Sequence, residues 1–157
     1  MHVVVDSTGL KIYGEGEWKV RQHGTSQRRG WIKVHLAVDA NVKDVLGVEV
    51  TTEACADCEV FEGLMDQMEG NIEQIDTDGA YDTRNAYEAV AQQEAVLVVP
   101  PRENAVKWED DHPRNAVLDA ITAKGRAAWK RESGYDRCSI AENAMYRLKQ
   151  LFGDSLS

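Results

Sequence analysis

Three acidic residues in distinct settings are the candidates for metal-dependent chemistry in this chain. Asp6 follows an apolar, β-branched run, and Asp78 follows a second apolar segment. Glu142 lies in a stretch with helical spacing, seven residues before Lys149. Two carboxylates at strand ends and a third on a helix can converge on a pair of divalent cations. Two cations held in this way can catalyse phosphodiester cleavage and strand transfer.

Each acid also has an ordinary local explanation. Asp6 could end its strand in an Asx-turn, and Asp78 could belong to an acidic turn in which Asp76 or Asp82 caps a helix. Glu142 could complete a capping box with the serine three residues before it. Taken one at a time, these explanations compete with the catalytic one.

Helix geometry adds a relation between Glu142 and Lys149. At about 100° per residue the two side chains fall within about 20° of each other and roughly 10 Å apart along the axis. Apolar residues occupy the opposite face of the same predicted helix, namely Ile140, Ala144, Leu148 and Leu151. The pattern fits a site that holds metal and phosphate, and it equally fits an amphipathic surface helix.

The acids require a scaffold that joins strands and a helix. The run Val3–Val5 predicts a short buried strand, and strict alternation from Trp31 onward predicts an antiparallel hairpin with one apolar face. The later predicted elements are a helix at 60–68, a strand at 72–77, a helix from Asp82 or Thr83 to about 94, a strand at 95–99, a polar irregular loop or insertion at 102–124, and helices near 127–131 and from 140. This order predicts a single α/β domain over 1–157, with a mixed sheet of three antiparallel strands and two further strands flanked by helices.

Composition agrees with one globular domain. The chain has 157 residues, of which 43% are apolar, and no apolar run approaches the roughly 20 residues of a membrane span. No signal peptide is visible after Met1, so we expect a cytoplasmic protein with no membrane partner. Cys55 and Cys58 form a single C-x-x-C motif, with no second such pair and no nearby His. A zinc site needs about four ligands, so the sequence does not support one.

The distribution of charge matters more than its sum of −9. Segment 11–33 has six Lys and Arg against two Glu, and segment 124–149 has seven against three acids, so each carries +4. The remainder of the chain then carries −17. Two basic segments around an acidic body suit local contact with phosphate, or they are simply solvated surface.

Three strings with their spacing resemble a known family. Val5–Leu10, Asp78–Asp82 and the series Tyr135, Glu142 and Lys149 resemble the three motifs of bacterial insertion-sequence transposases of the DDE type. The last motif of that group reads Y-x2-R-x3-E-x6-K, and its intervals match here at every position. The resemblance extends over essentially the whole chain, and an ordered match of three motifs is more specific than any one of them.

The resemblance implies an RNase H-like fold and DNA transposition. It implies that Asp6, Asp78 and Glu142 are the catalytic residues and hold two Mg²⁺ (or Mn²⁺) ions. Tyr135 and Lys149 would contact the DNA backbone. The implied partners are the transposon ends and the target DNA, together with a second copy of the chain in a homodimer.

One position departs from the signature. Residue 138 is Cys where the motif has Arg, and a cysteine cannot replace a bidentate phosphate contact. Arg137 is adjacent and is the remaining candidate for a DNA contact, although on a helix it points about 100° away.

The leading interpretation is therefore a transposase catalytic domain. We expect it to be truncated at both ends and to lack the upstream DNA-binding region of its family. The alternatives are an RNase H-like metal-dependent nuclease, a non-catalytic fragment that regulates a transposase, and an unrelated α/β domain whose carboxylates have local roles.

Overall fold

A mixed β-sheet forms the centre of the molecule. The computed structural model describes residues 1–12, 31–135, 139–152 and 155–156. The strands within these ranges are β1 (His2–Ile12), β2 (Trp31–Asp39), β3 (Val45–Thr52), β4 (Gln74–Thr77), β5 (Val96–Val98) and the short β6 (Ser155–Leu156). Their order across the sheet is β3-β2-β1-β4-β5, and β6 pairs with the far end of β1.

The pairing changes direction at β1. The pairs β1–β2 and β2–β3 are antiparallel, whereas the pairs β1–β4 and β4–β5 are parallel. The predicted α/β fold, with a mixed sheet of three antiparallel strands followed by two further strands and flanked by helices, is confirmed. Strands β1 and β4 are connected through the hairpin and a helix, because a parallel partner requires a crossover rather than a tight turn.

Helices cover both faces of the sheet. Those in the described part of the chain are α1 (Phe61–Asp66), α2 (Arg84–Gln92), α3 (Pro113–Lys124), α4 (Arg126–Ser133) and α5 (Ser139–Phe152). Val3 and Val5 belong to the larger core cluster, which includes Phe61 of α1 and Val90 of α2. Alternate residues of a strand face opposite sides, so the other face of β1 is left for α5.

Helix α5 covers that second face. Leu36 and Val38 of β2 pack with Met145 of α5, and Ala141 packs against Val4 of β1. The predicted apolar stripe of α5 is confirmed for Ile140 and Ala144, which pack against this cluster, and the side chains of Leu148 and Leu151 lie outside the described part of the chain. The helix is thus fixed against the strand that carries Asp6, and this packing sets the position of Glu142. No helix in the described ranges is long and apolar enough to span a lipid bilayer.

The predicted hairpin of β2 and β3 is confirmed, with one difference in burial. The side chains of Val34 and Leu36 are buried, but their partners Val50 and Val48 on β3 are 57% and 44% exposed. Val48 and Val50 are more exposed because β3 is the edge strand of the sheet and lies at the margin of the area that α5 covers.

The prediction of an irregular segment over 102–124 is wrong for its second half, which forms α3. His112 provides the N-cap, since its Nδ1 accepts the backbone N–H of Arg114 at 3.2 Å. Pro113 occupies the first turn, where its missing N–H costs nothing. Gly125, with φ of 84°, then separates α3 from α4.

A buried ion pair fastens α3 to the rest of the domain. Arg114 donates from Nε and Nη2 to the two carboxylate oxygens of Asp82 at 2.6 and 2.7 Å, and their side chains are 5% and 2% exposed. Arg114 also donates to the Val106 carbonyl at 2.7 Å. Asp82 directly precedes Thr83, whose hydroxyl caps α2, so the ion pair joins the beginnings of two helices.

Replacing Arg114 with Leu should lower the free energy of unfolding by about 3–5 kcal/mol, because the Asp82 carboxylate would stay buried without its partner. Urea denaturation measures this loss. Changing both residues to Leu should recover much of it. Asp119→Asn, which breaks the exposed Lys107–Asp119 pair, should cost less than about 1 kcal/mol. If Arg114→Leu lowers the free energy of unfolding no more than Asp119→Asn does, the Arg114–Asp82 pair does not stabilise the domain as described.

Candidate active site at the edge of the sheet

Asp6 lies inside β1, not at its end. The strand continues to Ile12, so the predicted strand end and the predicted Asx-turn at Asp6 are both wrong. The antiparallel ladder with β2 persists past this point, but the parallel ladder with β4 covers only His2–Val5. Asp6 is therefore the first residue of β1 beyond its contact with β4, which leaves its side chain at an open edge. Its Oδ1 accepts the Ser7 backbone N–H at 2.8 Å.

Asp78 directly follows β4, as predicted. The last paired residue of β4 is Thr77, opposite Val5, so Asp78 is the register neighbour of Asp6. Adjacent strands lie about 4.8 Å apart, which brings the two residues side by side. Asp78 Oδ1 accepts the Ala80 N–H at 2.9 Å and caps the short 3₁₀ turn Gly79–Tyr81.

Glu142 and Lys149 share one face of α5, and both line a cleft of about 260 Å³ with Asp6. Ser7, Thr8, Met145 and Tyr146 also line the cleft. The alignment expected from helix geometry is thus present. Within the described part of the chain no ion pair joins Lys149 to either acid.

The acids influence one another electrostatically. Burial raises the pKa of the Asp6 carboxyl, and the negative charges of Asp78, Glu142 and Asp57 raise it further, against the opposing effect of the Ser7 hydrogen bond. Asp78 remains accessible to solvent, yet loss of hydration at the sheet edge raises the pKa of its carboxyl, and Asp57 adds to the effect. A positive charge among these groups would relieve their mutual repulsion.

Two neighbouring aspartates that were alternatives to Asp78 already have partners. Asp76 is fully buried, and its carboxylate contacts His2 Nε2 and Gln74 Nε2, each at 2.7 Å. Asp82 is held by Arg114 in the buried ion pair. Neither caps α2, since that role belongs to Thr83.

The three predicted acids differ from these neighbours. In the described ranges, Asp6 and Asp78 each have one carboxylate oxygen bound to a backbone N–H and a second with no hydrogen-bond partner. The carboxylate of Glu142 has no partner in the same ranges. Carboxylate oxygens are the ligands that Mg²⁺ and Mn²⁺ favour, so the donor chemistry fits such ions. The described side chains include no group of three or more His, Cys, Asp or Glu close enough together to hold a metal ion.

Tyr135 is not among the residues that line the acid cleft. Its ring packs 6.1 Å from that of Trp129 and lies 4.7 Å from the ammonium of Lys130, both on α4. The structure thus brings Asp6, Asp78, Glu142 and Lys149 to one region and groups Tyr135 with the cations of α4. Arg137 and Cys138 are outside the described residues, as is the residue that would cap α5.

A polar network on the opposite face of β1 and β2 was missed by the sequence reasoning. Asp57 accepts from the Ser7 hydroxyl at 3.1 Å and from Lys33 Nζ at 2.9 Å. His35 is fully buried, with Nε2 2.9 Å from the Thr51 hydroxyl.

The network adjoins the acids through Ser7, which follows Asp6 in the chain. Lys33 and His35 alternate with apolar residues along β2, and they lie on the face that the predicted hairpin does not assign to the apolar residues. A strand covered by helices on both sides has no solvated face. That conflict between polar residues and two-sided burial was the available signal.

The chain belongs to the family described as transposase DDE domain, which matches residues 1–157. The resemblance noted from the three motifs indicated a DDE transposase as well.

Two solved structures resemble the chain weakly. A piggyBac transposase synaptic complex with hairpin DNA gives a TM-score of 0.44 at 13% identity, over 71% of this chain and 26% of that one. The N-terminal RNase H domain of rv2228c from Mycobacterium tuberculosis, determined as a fusion with maltose-binding protein, gives 0.35 at 12% identity over 84% and 98%. The chain thus spans about a quarter of the piggyBac transposase.

His35 should make stability depend on pH. The pKa of His35 is lowered, and burial is the largest cause. The charge of Lys33 also lowers this pKa, and the charges of Asp57 and Glu49 oppose the shift without reversing it. The unfolded chain therefore binds more protons than the folded one as pH falls below the ordinary value of about 6.5, and the free energy of unfolding decreases there.

The check is urea denaturation at pH 7.5, 6.5 and 5.5 for the wild type and for His35→Gln, which can keep a hydrogen bond to Thr51. The wild type should lose more stability toward pH 5.5 than the variant. The raised pKa values of Asp6 and Asp78 increase the free energy of unfolding as the pH falls. This effect is present in both proteins, so it cancels when the pH profile of the variant is subtracted from that of the wild type. Parallel pH profiles would show that His35 does not titrate as described.

Proposed function

We propose that residues 1–157 form a transposase catalytic domain that cleaves phosphodiester bonds at transposon ends and joins them to target DNA. The observation that carries the proposal is the contrast among the acids at this edge. Asp76 and Asp82 are bound by other side chains, whereas Asp6, Asp78 and Glu142 retain carboxylate oxygens without protein partners in the described ranges. Buried or repelling carboxylates left in this state favour a cation ligand.

In this proposal Asp6, Asp78 and Glu142 hold two Mg²⁺ or Mn²⁺ ions. Such ions, when bound, polarise the phosphate and activate an oxygen nucleophile. The backbone N–H groups of Ser7 and Ala80 fix one oxygen of each aspartate. They leave the other oxygen to bind metal. Glu142, on a helix turn with an exposed side chain, can adjust to close the ligand set.

Lys149 has the role of holding the scissile phosphate. Its side chain lines the same cleft as Asp6 and Glu142, and a lysine acts on phosphate as a compact positive charge. Contacts of this kind orient the DNA backbone and carry little sequence information. Tyr135 and Arg137 are further proposed contacts to the transposon end, from the segment that leads into α5.

The partners of the whole protein follow from the reaction. Two transposon ends must be brought together, which supports a homodimer acting on DNA. The proposed location of the reaction is the cytoplasm.

Neutralising the acids should abolish metal-dependent cleavage. We expect Asp6→Asn, Asp78→Asn and Glu142→Gln each to reduce cleavage by about 10³-fold or more, since each removes an ionic metal ligand. The substrate is a labelled duplex that carries the terminal inverted repeat flanking the gene, with Mg²⁺ or Mn²⁺. Asp66→Asn, an exposed aspartate on α1 at the other face of the sheet, is the matched control and should cleave normally.

Calorimetry with Mn²⁺ gives a readout that does not need turnover. The three variants should bind Mn²⁺ more weakly than the wild type and Asp66→Asn. Hydrolysis without joining would instead identify a nuclease, and DNA binding without metal binding would favour a regulatory fragment. Cleavage that survives in Asp78→Asn would refute the assignment of that residue.

Lys149→Gln should separate phosphate binding from metal binding. The variant is expected to bind the same duplex about tenfold more weakly, because a charge-assisted contact to phosphate is lost. Its affinity for Mn²⁺ should not decrease, since removal of a nearby positive charge favours a cation. Fluorescence anisotropy and calorimetry provide the two values, and a decrease in both would point to a structural defect.

A further inference from the structure

A second cavity is lined by the Gly79–Ala80 turn, which directly follows Asp78. Its volume is about 410 Å³, and the Pro100–Pro101 pair also lines it. The turn and the proline pair are tightly packed, since a Cβ at Gly79 would lie 3.2 Å from the Pro100 carbonyl oxygen. The cavity is therefore a formed feature beside the acids, separate from the cleft that holds Asp6 and Glu142.

Three cations line this cavity, Arg102, Arg126 and Lys130, against the single carboxylate of Glu103. In the described part of the chain none of the three cations makes an ion pair. Five other basic residues of the described ranges do have carboxylate partners, in the pairs Lys33–Asp57, Arg84–Glu109, Lys107–Asp119, Arg114–Asp82 and Lys124–Glu132.

This contrast occurs in a chain with 27 acids and 18 Lys and Arg, where partners are plentiful. Arg126 and Lys130 are moreover half-buried. Partial burial of a cation without a counter-ion is unfavourable, so the arrangement favours an external anion. Lys130 is held in place, because its ammonium lies 4.7 Å above the ring of Tyr135.

The sheet determines how this cavity relates to the acids. Strands β1, β4 and β5 are parallel neighbours. Asp6 lies where β1 leaves its ladder with β4, Asp78 directly follows β4, and the Pro100–Arg102 segment follows β5. With a spacing of about 4.8 Å between strands, the end of β5 lies roughly 10 Å from Asp6. Successive phosphates of one DNA strand are at least ~3.4 Å apart, so the cavity lies within about three nucleotides of Asp6 along the strand.

We infer that the cavity of Arg102, Arg126 and Lys130 binds backbone phosphates of DNA a few nucleotides from the scissile bond, on the β5 side. The inference rests on the proposed function and extends it. Lys149 holds the strand on the α5 side of the acids, and this cavity holds it on the other. Two points of attachment fix the direction of the strand across Asp6 and Asp78. Glu103 opposes the anion and limits its affinity.

The test measures DNA binding without turnover. Arg126→Gln and Lys130→Gln are titrated against a fluorescent 30-base-pair duplex without divalent cations, over a series of NaCl concentrations. Each variant should bind about tenfold more weakly, and the slope of log K against log salt should become shallower by about one. Glu103→Gln should bind more tightly than the wild type. Lys107→Gln, at an exposed ion pair, should match the wild type.

The outcomes separate this inference from the proposed function. Wild-type affinity and slope in Arg126→Gln and Lys130→Gln would overturn the inference alone, as would an equal loss in Lys107→Gln. Tighter binding of duplex RNA than of the DNA would also overturn it. If the cavity variants lose DNA affinity while Asp78→Asn still cleaves, the carboxylate assignment fails and the inference stands. Thermal melting shows whether each variant is folded.

Discussion

The parallel pairing of β1 with β4 is the constraint on which the candidate site depends. This ladder aligns Val5 with Thr77 and then stops, so the next residue of each strand is an aspartate at an open edge. Apolar burial on both faces of β1 stabilises this arrangement, because Val3 and Val5 on one face and Val4 on the other are almost fully buried. Two like charges can then be held side by side because the core fixes their backbones.

Helix α5 completes the site through a separate set of contacts. Ala141 and Met145 hold it against β1 and β2, and this packing directs Glu142 and Lys149 over Asp6. The aspartates are therefore set by strand register and the glutamate by helix packing. A small movement of α5 changes the separation of Glu142 from the aspartates without disturbing the sheet. Binding of a cation can thus be coupled to the seating of one helix.

Much of this architecture could be predicted from sequence, because apolar periodicity is a local signal. The hairpin, the helix after Thr83 and the exit of Asp78 from β4 all followed from such patterns. Position 6 was misjudged because the polar residues Ser7, Thr8 and Gly9 suggested a turn, whereas β2 pairs with this stretch and keeps it extended. Two features depend on contacts between residues distant in sequence. The start of α3 is held by the contact of Arg114 with Asp82, and the network around His35 includes the contact of Ser7 with Asp57. No local window contains them.

The bond between Lys33 and Asp57 has a consequence for the history of the chain. The two residues lie on different elements, one in β2 and one after β3, and each neutralises the other at a partly buried position. Losing one member leaves an uncompensated charge beneath the strand that bears Asp6. We therefore expect positions 33 and 57 to be substituted together, or through an intermediate sequence in which both residues are uncharged. Among diverged copies of this gene, the residues at 33 and 57 should therefore covary.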